Sequence, residues 1–270
     1  MLQSQSGNAE INGASLAYEI AGAGPPLVMV HGHLLDLHQW DAQFQAFAAD
    51  YQVVRYDARG FGESTQPPAA FNHAADLREL MRFLNLEHAF LMGCSGGGAT
   101  CIDFTLQYPN MVDGLILVGS AIAGFEPSGP PPPALVAMSE ALNRGAIDQA
   151  VEYSLHVWTD GARRTPDQVN QAAREQTRAI TKRLFSRRPV EGAEQQQSVP
   201  DALEHLAELR APTLAIVGSE DNQLIHDIAD RIASQSPNAR RVVIPDAGHH
   251  PNMEHPAAFN ELVRSFLGSL

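Results

Sequence analysis

The stretch that decides the fold is Gly93-Cys94-Ser95-Gly96-Gly97. The apolar run Ala89-Phe90-Leu91-Met92 precedes it, and a helical pattern over residues 99–108 follows it. A serine between glycines in a sharp strand-to-helix turn is typical of a nucleophile elbow, whose strained backbone lifts the hydroxyl clear of the sheet. We therefore expect Ser95 to be a nucleophile. The N–H of Gly96, which opens the helix, is expected to point at a developing oxyanion.

Strand and helix patterns alternate on both sides of this turn. Short apolar runs predict buried strands, and apolar residues three and four apart predict helices. The predicted strands cover residues 9–11 and 15–20, joined by the hairpin signal Asn12-Gly13, and then 27–30, 53–56, 89–92, 115–118, 213–217 and 242–244. Helices are predicted near 37–49, 74–84, 225–234 and 256–267. The alternation predicts the α/β class, with a mostly parallel twisted sheet flanked by helices.

The stretch from residue 120 to 200 has a different character. It contains a proline run at 130–133 and helical patterns at 134–144, 146–158 and 166–185, the last with Thr165 as its N-cap and Pro166 at its first position. No strand-like run is visible in it. We therefore predict an inserted helical cap, or lid, at 120–200, and a core domain formed by residues 1–119 and 201–270.

A serine hydroxyl needs a base that accepts its proton and a carboxylate that orients the base. In open α/β sheets such groups collect just after the carboxyl ends of strands. Asp221 and His249 each lie four or five residues past the end of a predicted strand. We expect Ser95, Asp221 and His249 to form a catalytic triad. His250 remains an alternative base and Glu126 an alternative acid.

The loop after strand 27–30 is expected to supply the second oxyanion donor. The backbone N–H of His33 is the first candidate, together with that of Gly96, and Leu34 is the alternative. His31 is expected to hold the loop by hydrogen bonds, and the sequence leaves open whether the His33 side chain faces the pocket.

The predicted substrate pocket consists of apolar residues whose bulk would set the acyl-chain length. They are Leu34, Leu135, Met138, Val157 and Trp158. For Trp158 the alternative is that it packs the cap against the body.

Composition argues against several kinds of partner. The net charge is −13. It comes entirely from the residues outside 120–200, which include 22 acidic and nine basic residues. An acidic body argues against nucleic-acid binding. No apolar run approaches the roughly 20 residues that span a bilayer, so no membrane partner is expected.

Cysteine usage and the first residues bear on location. Cys94 and Cys101 are not expected to form a disulfide, because one ends a strand and the other lies within the following helix. Free thiols fit a reducing compartment. The segment from Met1 to Gly7 has neither the charged nor the apolar region of a signal peptide. We expect a cytoplasmic protein, a monomer or a homodimer.

Five motifs occur in order along the chain: His31-Gly32, Asp57-x-Arg59-Gly60-x-Gly62-x-Ser64, Gly93-x-Ser95-x-Gly97, Gly218-x-x-Asp221 and Gly248-His249. With them the chain resembles the α/β-hydrolase superfamily from about residue 7 to 267. It is similar to capped members such as 3-oxoadipate enol-lactonases and small carboxylesterases. The resemblance implies the α/β-hydrolase fold and a serine hydrolase without cofactor or metal. Ser95 stands where haloalkane dehalogenases and epoxide hydrolases have an aspartate, which disfavours those relatives.

The expected reaction is two-step acyl transfer on a small ester or lactone. C–C bond hydrolysis and perhydrolysis use similar residues and stay open. A different class also stays open, namely a ligand-binding signalling protein that keeps the triad but turns over slowly.

Overall fold

The computed structural model describes residues 4–127, 129–188 and 190–270. Residues 1–3, in the segment read for a signal peptide, and residues 128 and 189, in the predicted cap, lie outside the described residues. The strands are β1 Ser4–Ile11, β2 Ala14–Ala21, β3 Pro26–Val30, β4 Gln52–Tyr56, β5 Ala70–Phe71, β6 Ala89–Cys94, β7 Val112–Val118, β8 Glu194–Gln195, β9 Thr213–Gly218 and β10 Ala239–Ile244. The α-helices are α1 Asp41–Phe47, α2 His73–Phe83, α3 Gly96–Gln107, α4 Pro133–Asn143, α5 Ile147–Leu155, α6 Gln171–Phe185, α7 Gln223–Gln235, α8 Pro251–Glu254 and α9 Pro256–Leu267. Single turns of 3-10 helix occur at Leu37–Trp40, Pro109–Met111 and Pro166–Gln168, with a longer one at Ala202–Glu208.

The main sheet has the strand order β1-β2-β4-β3-β6-β7-β9-β10. The pairs β1–β2 and β2–β4 are antiparallel, and all the others are parallel. The first pair turns at Asn12 and Gly13, both at positive φ, as the hairpin signal predicts. The predicted α/β class with a mostly parallel sheet is confirmed.

The central strands are apolar at successive positions because helices cover both faces of the sheet. In β3, Val28 and Val30 pack in one buried cluster with α2, α3 and α7, whereas Leu27 and Met29 pack in another with α1 and α9. This arrangement makes the sheet a rigid platform. The loops at the carboxyl ends of β3, β6, β7, β9 and β10 share one edge of it.

Residues 119–212 form an insertion between β7 and β9, which pair directly, with Leu115 opposite Thr213. The expected single helix at 166–185 is wrong. Thr165 and Gln168 form a capping box around one 3-10 turn, and the side chain of Asn170 then caps the separate helix α6. Asn170 accepts a hydrogen bond from the N–H of Ala173, and this local bond competes with helix continuation.

Two further features of the insertion differ from expectation. Glu194–Gln195 forms a two-residue strand that pairs with Ala70–Phe71, although no strand was expected there. Both of its residues are exposed and polar, so no apolar pattern marks it. The expected helix at 146–158 ends instead in a π-helical turn, His156–Asp160, a type of distortion that is frequent at functional sites.

The cysteines and the lengths of the helices bear on two further expectations from the sequence. Cys94 and Cys101 are free and buried, and burial raises the pKa of the Cys94 thiol to about 12. Within the described ranges, no helix combines the length and the apolar character that a membrane crossing needs.

Candidate active site

Ser95 occupies a strained turn between β6 and α3. Its φ is 51° and its ψ is −119°, a conformation that costs a non-glycine residue energy. The Ser95 N–H donates to the carbonyl of Val118 at 2.9 Å, and its carbonyl accepts from the N–H of Ala121 at 3.1 Å. The end of β7 therefore holds the strained residue in place through its backbone.

Glycines flank this turn because no side chain fits beside it. A Cβ on Gly97 would lie 2.4 Å from the carbonyl oxygens of Val30 and His31, and one on Gly93 would lie 2.5 Å from the carbonyl oxygen of Gly97. The strand and helix thus approach as closely as the backbone allows.

Asp221 and His249 meet beside this elbow. His249 Nδ1 lies 2.8 Å from Asp221 Oδ2, and both side chains are almost completely buried. A carboxylate accepts from Nδ1–H, which leaves Nε2 as the proton acceptor of the imidazole. Nε2 is buried and has no hydrogen-bond partner among the described residues. His249 and Ser95 line the same cavity.

The alternative base and acid are placed differently. His250 is buried, its ring lies edge-on to that of His249 at 5.1 Å, and burial lowers its pKa well below the usual value. Glu126 is exposed and makes no hydrogen bond in the described part of the chain. Asp221 bonds His249, and among the described residues neither His250 nor Glu126 forms such a pair.

The loop after β3 carries His31, which is held by two hydrogen bonds. Its Nε2 accepts from the N–H of Ala58 at 2.9 Å, so Nδ1 carries the proton and donates to the carbonyl of Gly32 at 2.8 Å. This fixes both the tautomer and the loop.

His33, in the same loop, turns its ring towards the reactive region. A Cβ on Gly96 would lie 2.5 Å from that ring, and the ring lines the cavity. Burial, together with the neighbouring His31, lowers the pKa of His33 to about 4, so the ring is neutral at neutral pH. The backbone N–H groups of His33, Leu34 and Gly96 donate no hydrogen bond within the described residues.

The cavity in front of Ser95 has a volume of about 260 Å³ and is called the main cavity below. Leu34, Leu135, Met138 and Trp158 lie in its wall, whereas Val157 is buried and is not among the described residues that line it. The remaining lining residues are Gly32, His33, Leu35, Ser95, Ser154, Thr177, Thr181, His249 and His250. Sequence reasoning missed Thr177 and Thr181, although their spacing of four on one helix could have placed them on a common face.

Trp158 covers the imidazole of His249. The two ring centroids are 4.7 Å apart, and the carbonyl of Trp158 accepts the backbone N–H of His249 at 2.9 Å. The π-helical turn therefore contacts His249 through both side chain and backbone.

Among the described residues, no group of three or more His, Cys, Asp or Glu side chains is placed to hold a metal ion.

Comparison with known proteins relates this arrangement to a family. The family model described as the alpha/beta hydrolase fold matches residues 25–256. The chain is 29% identical over 267 residues to a 2-hydroxy-6-oxononadienedioate/2-hydroxy-6-oxononatrienedioate hydrolase of Paraburkholderia phymatum, covering 93% of this chain and 90% of that one. It is 26% identical over 257 residues to a pimeloyl-[acyl-carrier protein] methyl ester esterase of Aeromonas hydrophila, covering 94% and 100%.

A solved structure agrees with these matches. The crystal structure of a hydrolase from Pseudomonas aeruginosa PA01 superposes with a TM-score of 0.77 and 28% identity over 98% of both chains. The family model spans most of the chain, and the six strands β3, β4, β6, β7, β9 and β10 of the main sheet, the elbow and the Asp221–His249 pair lie within the matched region. The chain therefore belongs to the α/β-hydrolase family.

Proposed function

We propose that this protein is a serine hydrolase that cleaves a small ester or lactone by two-step acyl transfer. Ser95 attacks the carbonyl carbon while His249 Nε2 accepts its proton, and Asp221 orients and stabilises the resulting imidazolium. The collapse of the tetrahedral intermediate expels the leaving group, which takes the proton from His249. Water, deprotonated by His249, then releases the acid and regenerates Ser95.

The oxyanion is assigned to the backbone N–H groups of Gly96 and His33. Both groups lack a partner within the described residues, and the N–H of Gly96 begins a helix, where the helix dipole favours negative charge. Leu34 stays the alternative to His33, because its N–H also donates no hydrogen bond in the part of the chain that the structure describes.

The observation that carries the proposal is the 2.8 Å hydrogen bond between Asp221 and His249 beside a serine at φ 51°. The similarity to the Aeromonas relative, a methyl ester esterase, supports ester cleavage. The name of the Paraburkholderia relative favours a second candidate, the hydrolysis of a C–C bond next to a ketone by the same residues.

Labelling with a fluorophosphonate tests the nucleophile. Wild-type protein should bind the probe at Ser95, and Ser95→Ala should lose both the label and several orders of magnitude in turnover of short nitrophenyl esters. Ser154→Ala is the matched control, because Ser154 lines the same cavity without lying at an elbow, and it should keep the label. A label that persists in Ser95→Ala contradicts the proposal.

Kinetics separate the remaining candidates. A serine hydrolase should show steady-state turnover of esters, whereas a slowly cycling receptor should show one acylation event and little further release. Faster cleavage of a 2-hydroxy-6-oxo dienoate than of any ester would favour the C–C bond hydrolase instead.

A further inference from the structure

A second cavity shares His33 in its wall with the main cavity. It has a volume of about 200 Å³ and is called the side cavity. His33 lines both cavities, and Gly96, adjacent to Ser95, lines the side cavity. The other lining residues come from the start of α2, from α3, from the chain after β7 and from the chain around β8: Asn72, His73, Ala74, Ala99, Thr100, Asp103, Ala121, Ile122, Ala123, Gln195, Gln196 and Gln197.

His73 is the first residue of the side cavity that lacks polar partners. It is only 5% exposed, and neither ring nitrogen has a hydrogen-bond partner among the described residues. Its ring packs against those of Phe71 at 5.1 Å and His33 at 5.4 Å. Burial lowers its pKa to about 3, so at neutral pH it is a neutral imidazole that offers one donor and one acceptor.

Asp103 is the second such residue, and it is 7% exposed. Its Oδ2 accepts from the backbone N–H groups of Ser198 at 3.2 Å and Val199 at 3.4 Å. Its Oδ1 is buried and has no partner in the described chain. Buried polar atoms are nearly always hydrogen-bonded, so two unpartnered groups on one cavity indicate a missing partner.

The chemistry of the wall restricts that partner. No Lys or Arg occurs among the described lining residues, so nothing there would neutralise an anion. A carboxylate oxygen requires a donor, and a neutral imidazole can satisfy a group that donates or accepts. Asn72 is already occupied, because it accepts from the N–H of Ala75 and donates to the carbonyl of Gln196.

We propose that the side cavity binds an uncharged polar arm of the substrate, one that carries an amide N–H or a hydroxyl, which donates to Asp103 Oδ1 and hydrogen-bonds to His73. This rests on the proposed function, because the arm must belong to the molecule whose carbonyl lies at Ser95. The apolar part of the same substrate occupies the main cavity. His33 stands between the two and sets the direction in which the arm leaves the reacting carbon.

Two matched pairs of esters test the proposal. In the first, the 4-nitrophenyl ester of N-acetyl-β-alanine is compared with that of hexanoic acid, so the amide lies in the acyl part. In the second, 2-acetamidoethyl butyrate is compared with pentyl butyrate, so the amide lies in the alcohol part. Wild-type protein should prefer the amide ester over its alkyl partner in at least one pair.

His73→Phe and Asp103→Leu should each lower that preference, expressed as the ratio of kcat/KM values, by roughly three- to tenfold, the loss that follows from one hydrogen bond. Most of the change should be in KM for the amide ester. Tyr56→Phe is the matched control, because it removes a buried polar group that has no partner in the described chain, and Tyr56 lines neither cavity, so the ratio should stay unchanged.

A thermal melt shows whether each variant is folded. If one of the two does not fold, the other still tests the proposal. Equal ratios in wild type and in both folded variants, for both pairs, would overturn the proposal. Fluorophosphonate labelling of Ser95 in the same samples keeps the two hypotheses apart. Retained labelling with unchanged ratios rejects the side cavity alone, whereas turnover in Ser95→Ala rejects the proposed function.

Discussion

At the scale of single residues, the contacts of His249 distinguish the two candidate acids. The buried carboxylate of Asp221 accepts from Nδ1, whereas Glu126 is exposed. Asp221→Asn should lower kcat by about 10⁴, because an amide stabilises the wrong tautomer of the imidazole. Glu126→Gln should leave kcat near that of the wild type. Steady-state kinetics on one nitrophenyl ester compare the two, and a larger loss in Glu126→Gln would assign the acid to the loop after β7.

The proximity of the three candidate triad residues can be predicted from the sequence. Ser95, Asp221 and His249 follow apolar runs, and parallel strands end at a common edge, so their proximity follows from the chain order. The side cavity cannot be predicted from the sequence in this way. His73 and Asp103 lie on two helices, and their unpartnered atoms become visible only when the helices and residues 195–197 are packed together.

At the scale of elements, the π-helical turn His156–Asp160 places Trp158 over His249 and into the main cavity. Trp158→Ala should enlarge the cavity and shift kcat/KM towards longer acyl chains by about 1–3 kcal/mol, or 10–200-fold. A series of acyl lengths measures the shift. Trp40→Phe is the control, since Trp40 is fully buried in the core and should affect the melting temperature alone. A lowered melt with an unchanged length profile in Trp158→Ala would make Trp158 a packing residue.

A buried ion pair connects Arg164, which follows the π-helical turn, to Glu254, which follows His249. Arg164 Nη1 donates to Glu254 Oε2 at 2.8 Å, and Glu254 Oε1 accepts the N–H of Gly248 at 2.7 Å. Arg164 also donates to the carbonyls of Thr159 and Asp246. Arg164 therefore adds side-chain bonds to the backbone bond between Trp158 and His249 that already joins the insertion to this loop.

Arg164→Met should destabilise the protein by about 3–5 kcal/mol, because it leaves the Glu254 carboxylate buried without its cation. It should also lower kcat through the displaced His249 loop. The neighbouring Arg163→Met is the control, because Arg163 pairs with Glu220 at the exposed surface, where screening makes an ion pair weak. Chemical denaturation and kcat are measured together. Equal, small effects of both substitutions would contradict a specific role for Arg164.

At the scale of the whole molecule, the sequence predicts the sheet better than the insertion. Strands buried on both faces leave continuous apolar runs that can be recognised locally. The insertion deviates at Asn170, at the π-helical turn and at β8, where polar caps and tertiary contacts override the helical pattern. Its boundaries, proposed at residues 120 and 200, stay a prediction.

The direct pairing of β7 with β9 has a consequence for how activity appears during refolding. Residue 118 must find residue 216 across the whole insertion before Asp221 and His249 can reach Ser95. Such non-local parallel pairing is slow, because loop-closure entropy opposes it before contacts compensate. After dilution from urea, helical circular dichroism should recover first and the proposed turnover of a nitrophenyl ester later. Simultaneous recovery of both signals would mean that the β7–β9 pair forms together with the helices, so that the active site is present from the first compact state onward.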